Sequence, residues 1–135
     1  MNKLMTVAVI DSGIYPHIDF KNRIVAFKDF VNGRKNAYDD CGHGTHVSGI
    51  IAGSGYASHG RIKGICPAAR LAGIKVLDRL GNGRIENVLD ATDWIISHQK
   101  LNIRLSIYPS AQPHLAKKKI LLLLKKQLKS SGTII

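Results

Sequence analysis

Two residues in the first third of the chain have the types and surroundings of a proton-transfer pair. Asp11 ends the almost unbroken apolar run Thr6-Val7-Ala8-Val9-Ile10 and opens Asp11-Ser12-Gly13-Ile14. Catalytic groups of open α/β sheets collect at the carboxyl ends of strands, so this carboxylate stands where a site would form. The plainer alternative is an N-cap or turn aspartate. His43 lies between two glycines in Gly42-His43-Gly44-Thr45-His46-Val47-Ser48-Gly49. Flanking glycines permit close approach, and an imidazole with an ordinary pKa of ~6.5 suits a general base. His46, three residues on, reads as a helix-packing histidine. Cys41, His43 and His46 also offer three zinc ligands, but no downstream His/Cys pair has the spacing to complete a site, and no metal is assigned.

The elements that must position these residues follow from hydrophobic patterning. Residues 6–10 form the continuous apolar run of a strand buried on both faces of a parallel sheet. Residues 23–30 and 70–77 read as further strands, and the small apolar residues of 45–52, closed by Gly53-Ser54-Gly55, as a buried helix. Ile85, Val88, Leu89, Thr92, Ile95 and Ile96 recur at helical spacing, with Glu86, Asp90 and Asp93 on other faces. Strands alternating with helices predict an α/β fold: a doubly wound, mainly parallel sheet with helices on both faces.

The 135 residues suffice for one domain. A composition of 44% hydrophobic and 21% charged residues excludes a disordered or collagen-like chain. The longest apolar run, residues 120–124, is far below the ~18–20 residues of a membrane span. A net charge of +11 suggests nucleic acid or an anionic membrane as partner, but its distribution argues against both. All nine acids lie between Asp11 and Asp93, whereas the last 31 residues hold six lysines and no acid. That tail has Tyr108 as its one aromatic and matches no nucleic-acid module. Its leucines are contiguous rather than helically spaced, a poor membrane-surface pattern. Two cysteines, Cys41 and Cys66, and a start unlike a signal peptide predict reduced thiols and a cytoplasmic location.

Four blocks carry a resemblance: residues 7–14, Gly42-His43-Gly44-Thr45-His46-Val47-Ser48-Gly49, Gly64-Ile65-Cys66-Pro67-Ala68-Ala69-Arg70-Leu71, and Ile74-Lys75-Val76-Leu77. In this order they resemble the subtilisin family of serine peptidases over about residues 5–104. The resemblance implies that Asp11 is the triad aspartate and His43 the general base. It also implies that Gly81, Asn82 and Gly83 form the edge that pairs with a substrate peptide as an added strand. It supplies no nucleophile, because no serine here stands in a Gly-Thr-Ser-Met-Ala-type segment. Family members often hold calcium through an aspartate near Asp19, but the loop that completes that site is not recognisable, so no cofactor is expected.

The chain therefore reads as residues 1–104, the N-terminal part of a subtilisin-like peptidase domain, and 105–135, a basic tail outside the family pattern. Shifted by one base, codons for residues 105–111 can give Ile-Asn-Ile-Ser-Ile-Gly, and those for 117–121 can give Glu-Glu-Glu-Asp-Pro. Both suit the family, so a single-base deletion near the Arg104 codon, followed by a premature stop, accounts for the tail. The expected function is that of a fragment of an endopeptidase acting on peptides or proteins, inactive alone for want of the serine. The alternative is a non-catalytic binding or regulatory chain with a basic tail. Loss of helical cover is expected to leave strands 6–10 and 70–77 exposed in a poorly packed chain.

Overall fold

The computed structural model describes residues 4–109. Its elements in chain order are β1 (Thr6–Asp11), β2 (Ile24–Asp29), α1 (His43–Ala52), β3 (Arg70–Lys75), α2 (Ile85–Ser97) and β4 (Ile103–Ile107). Short 3-10 turns fill Ile18–Phe20, Tyr56–Ser58 and Gln99–Leu101. The strands form one sheet in the order β2-β3-β1-β4, with every pairing parallel. Central β1 pairs with β3 in unbroken register from Thr6↔Arg70 to Asp11↔Lys75.

Side chains of successive strand residues point to opposite faces, and here both faces are covered. Ala8 and Ile10 of β1, with Ala72 and Ile74 of β3, pack against Val88, Ala91 and Ile95 of α2. Val7, Val9 and Leu71 face the other way, onto Ala52 of α1, Ile14, Phe20 and Ala69. This is the expected doubly wound arrangement, one helix to each face. Strand cover does not match expectation: all of β1 is buried, as is β3 from Leu71 to Lys75. The two helices and the Ile14–Phe20 segment suffice to enclose these strands.

Two boundaries differ in ways that matter for the site. β1 runs one residue further than the apolar run, so Asp11 is the last residue of a buried strand. α1 begins at His43 rather than Thr45, because Gly42, at φ 96°, turns the chain directly into the helix. β4 crosses Arg104 and continues to Ile107, with a register shift against β1 between Thr6↔Ile103 and Val7↔Leu105. Beyond it, Tyr108 packs on the α2 face with its Oη 2.8 Å from Thr92 Oγ1. Burial pushes the Tyr108 phenol up to about 12, against the opposing Thr92 hydrogen bond. The tail features at 117–124 lie outside the described residues. Among the described residues no helix is long and apolar enough to cross a membrane.

The turn after β2 is organised by Asp29. Its carboxylate accepts hydrogen bonds from Tyr38 Oη, from the amides of Val31 and Asn32 (2.8 and 2.9 Å) and from that of Arg34 (3.2 Å). Burial pushes this carboxyl up, but the bonds from Tyr38, Asn32, Val31 and Arg34 outweigh it and hold its pKa below the usual value.

Two measurements follow from this packing. Ile74→Ala, at a fully buried position, is expected to cost about 2–5 kcal/mol in urea denaturation. Ile65→Ala, at an 87% exposed one, should stay within about 0.5 kcal/mol. Equal effects would contradict the described core. For Asp29, a lowered folded-state pKa means stability that is present above the unfolded value of ~3.9 and lost as pH falls through the folded one. Melting temperatures from pH 7 down to 2 should therefore fall on the acid side less steeply in Asp29→Asn than in the unaltered chain.

Candidate active site

Asp11 and His43 come from different elements and meet at the carboxyl end of β1. Asp11 Oδ1 lies 2.8 Å from His43 Nδ1, and it also accepts the Ser12 amide at 2.7 Å. The aspartate side chain is 4% exposed and the imidazole 61%. A carboxylate can only accept, so in the neutral ring Nδ1 carries the proton and donates it, leaving Nε2 free to act as a base. One partner is thus held in the protein and the other is presented to solvent.

Close approach of backbone to backbone makes this meeting possible. A Cβ on Gly44 would lie 2.2 Å from the Gly13 carbonyl oxygen and 3.2 Å from Asp11 Cβ. Gly13 itself, at φ +123°, lies against Tyr38, whose carbonyl oxygen would be 2.2 Å from an added Cβ. Across this contact Ser12 Oγ accepts the Gly44 amide at 2.9 Å and donates to Asp39 Oδ1 at 2.8 Å. Asp39 also accepts the amides of Gly42 (2.8 Å) and Thr45 (2.9 Å) and the Thr45 hydroxyl. Burial pushes the Asp39 carboxyl up, but these bonds prevail and keep its pKa below the ordinary value.

A buried cation braces the same region from beneath. Lys75, 0% exposed, directs Nζ to Asp40 Oδ1 at 2.7 Å, to the Ser12 carbonyl at 2.6 Å and to the Leu77 carbonyl at 2.7 Å. Those partners belong to the exit of β1, the loop before His43 and the loop after β3. Sequence patterning placed Lys75 in a strand without giving it a role, and it did not single out Asp39 or Asp40. A signal was present in retrospect: adjacent acids just ahead of a glycine-led helix, where carboxylates satisfy free amides.

The segment with Gly81, Asn82 and Gly83 is a tight return rather than a plain loop. Leu77 and Gly83 form an antiparallel bridge, and Asp78 Oδ1 accepts the amides of Leu80 (2.9 Å) and Asn82 (3.0 Å). Gly83 is required by the chain itself, since a Cβ there would lie 2.7 Å from the Val76 carbonyl oxygen. At Gly81 a Cβ would meet nothing within 4 Å, so the space beside it is open.

His46 is exposed, which corrects its reading as a helix-packing residue. It lines a groove of about 600 Å³ with His17, Phe20, Thr45 and Ile50, because the buried positions of α1 are Gly44, Ser48 and Ala52. Cys41, His43 and His46 do not converge: among the described residues no three His, Cys, Asp or Glu side chains gather as a metal site would require. The Asp19 carboxylate accepts the Ala57 amide at 2.8 Å, and its backbone carbonyl accepts the Arg23 guanidinium.

The Subtilase family model matches residues 2–111. The chain is 45% identical over 100 residues to Serine protease AprX of Bacillus subtilis, a match covering 74% of this chain and 23% of that protein. It is 38% identical over 107 residues to the Major intracellular serine protease of Bacillus subtilis, covering 75% and 33%. The crystal structure of a cold adapted subtilisin-like serine proteinase superposes with a TM-score of 0.73 at 26% identity, over 96% of this chain and 44% of the other. The chain thus spans 23% and 33% of the length of these two curated relatives. With the family match covering most of its residues, this chain belongs to the subtilase family.

Proposed function

We propose that Asp11 and His43 are two members of an Asp-His-Ser triad for hydrolysing peptide bonds. The observation that carries this is the 2.8 Å contact between a buried carboxylate and the Nδ1 of an exposed imidazole at a strand end. In this reading His43 Nε2 takes the proton of a serine hydroxyl as that oxygen attacks the scissile carbonyl, then returns it to the leaving amine. Asp11 holds the Nδ1–H tautomer and stabilises the imidazolium that forms. The edge at Gly81 and Asn82 pairs with the substrate backbone, a peptide or protein. This is proton transfer and acyl transfer by side chains, with no cofactor called for.

The nucleophile is not supplied by the serines described near His43. Ser12 Oγ is bonded to Asp39 and to the Gly44 amide, and Ser48 Oγ donates to the Gly44 carbonyl at 2.8 Å. We read the 135 residues taken alone as inactive in hydrolysis, and the cytoplasm as the site of action, the latter on the strength of two free cysteines. The division after Arg104 belongs to the same reading. It is supported by the composition of the residues after Arg104, which hold six lysines and no acid. The nucleotide sequence tests it: a second reading frame encoding a Gly-Thr-Ser segment is expected downstream.

Two assays separate these claims. The purified chain should hydrolyse a peptide substrate no faster than its His43→Ala variant, and an active-site serine reagent should not label it. A chimera in which residues 5–104 replace the matching stretch of the AprX relative should hydrolyse peptides. His43→Ala should lower its turnover about a million-fold and Asp11→Ala roughly ten-thousand-fold, sizes established for a subtilisin itself. A chimera indifferent to both substitutions would overturn the assignment of the pair.

A further inference from the structure

We infer that Asp39 is the positioning residue of the Asp11–His43 pair, fixing the backbone on both sides of His43 so that its ring has one place to go. This rests on the reading of that pair as catalytic.

The amides flanking His43 supply the grounds. Those of Cys41 (3.2 Å) and Gly42 (2.8 Å), the two residues before it, donate to Asp39 Oδ1. Of the two after it, Thr45 donates to Asp39 Oδ2 at 2.9 Å, and Gly44 donates at 2.9 Å to Ser12 Oγ, whose own proton goes to Asp39. The two residues on either side of His43 are therefore all tied to one carboxylate, directly or through a single hydroxyl. The Thr45 hydroxyl also donates to Asp39 and accepts the Tyr15 amide at 2.9 Å, so the helix start is pinned to the chain leaving β1. The antiparallel bridge Gly13↔Asp39 places the carboxylate itself against that exit.

Chemistry makes the position intolerant of its nearest analogue. Every partner of Asp39 is a donor, and both of its oxygens are in use. An asparagine would aim an NH₂ group at donors on one side, so Asp39→Asn should fail much as Asp39→Ala does. Asp29 is the matched control: a carboxylate with a comparable set of amide and hydroxyl donors, none of which flanks His43.

The test is nuclear magnetic resonance of the full ¹⁵N-labelled chain, following the downfield His43 Nδ1–H proton, assigned by its loss in His43→Ala. Methyl signals of Val7, Ile10 and Ile74 report the core. Asp39→Asn is expected to abolish the ring-proton signal while Asp29→Asn retains it, each with a dispersed core. Should Asp39→Asn lose the core, Ser12→Ala removes only the hydroxyl relay and is expected to broaden the His43 signal with the core intact. An unchanged His43 signal in a folded Asp39→Asn, or in Ser12→Ala where that variant is needed, overturns the inference. Absence of the signal from the unaltered, folded chain would instead overturn the Asp11–His43 reading, and this inference with it.

Discussion

The contact between Gly13 and Gly44 is the constraint on which the site depends. One glycine follows the sheet's central strand and the other lies in the first turn of a helix; an added Cβ on Gly44 would stand 2.2 Å from the Gly13 carbonyl oxygen. A side chain on Gly44 would force helix α1 and the exit of β1 apart by about 1 Å, enough to stretch the 2.8 Å hydrogen bond between Asp11 and His43 beyond range. The glycines thus act by what they lack. They let two main chains touch so that two side chains from separate elements reach each other.

Charge then fixes what the glycines allow. Asp39 gathers donors above the contact, and Lys75 below it joins the exit of β1 to the loops on either side. Removing one partner of a buried charged group costs more than the pair itself contributes, since the remaining group stays buried and unsatisfied. The cluster is therefore better understood as a device for geometry than as a source of stability. The stability comes from the two apolar layers, where α1 and α2 each cover one face of β1 and β3.

Strong periodic signals in the sequence made most of this scaffold legible. A continuous apolar run in 6–10 and helical spacing over 85–96 read correctly because burial on two faces and on one stripe leave different patterns. Asp11 and His43 were legible for a related reason: each interrupts a recognisable pattern with a side chain able to move protons. The fourth strand was less visible, since Ile103–Ile107 is short and carries the exposed Arg104 as its second residue. His46 was misread because small residues, rather than a 3.6-residue apolar stripe, make up the buried side of α1.

What the sequence determined by itself is the alternation of strands and helices, the identity of the proton-transfer candidates and the glycines around them. These depend on local pattern and residue type. What only the tertiary structure decided is which groups meet: the Asp11–His43 contact, the gathering of amides on Asp39, and the burial of Lys75 against three separate segments. Lysine in a strand carries no local mark of its destination, because its partners are 35 and 63 residues away in Asp40 and Ser12. Such contacts arise only once parallel pairing has set β1 beside β3, register by register, and brought their carboxyl ends to one edge.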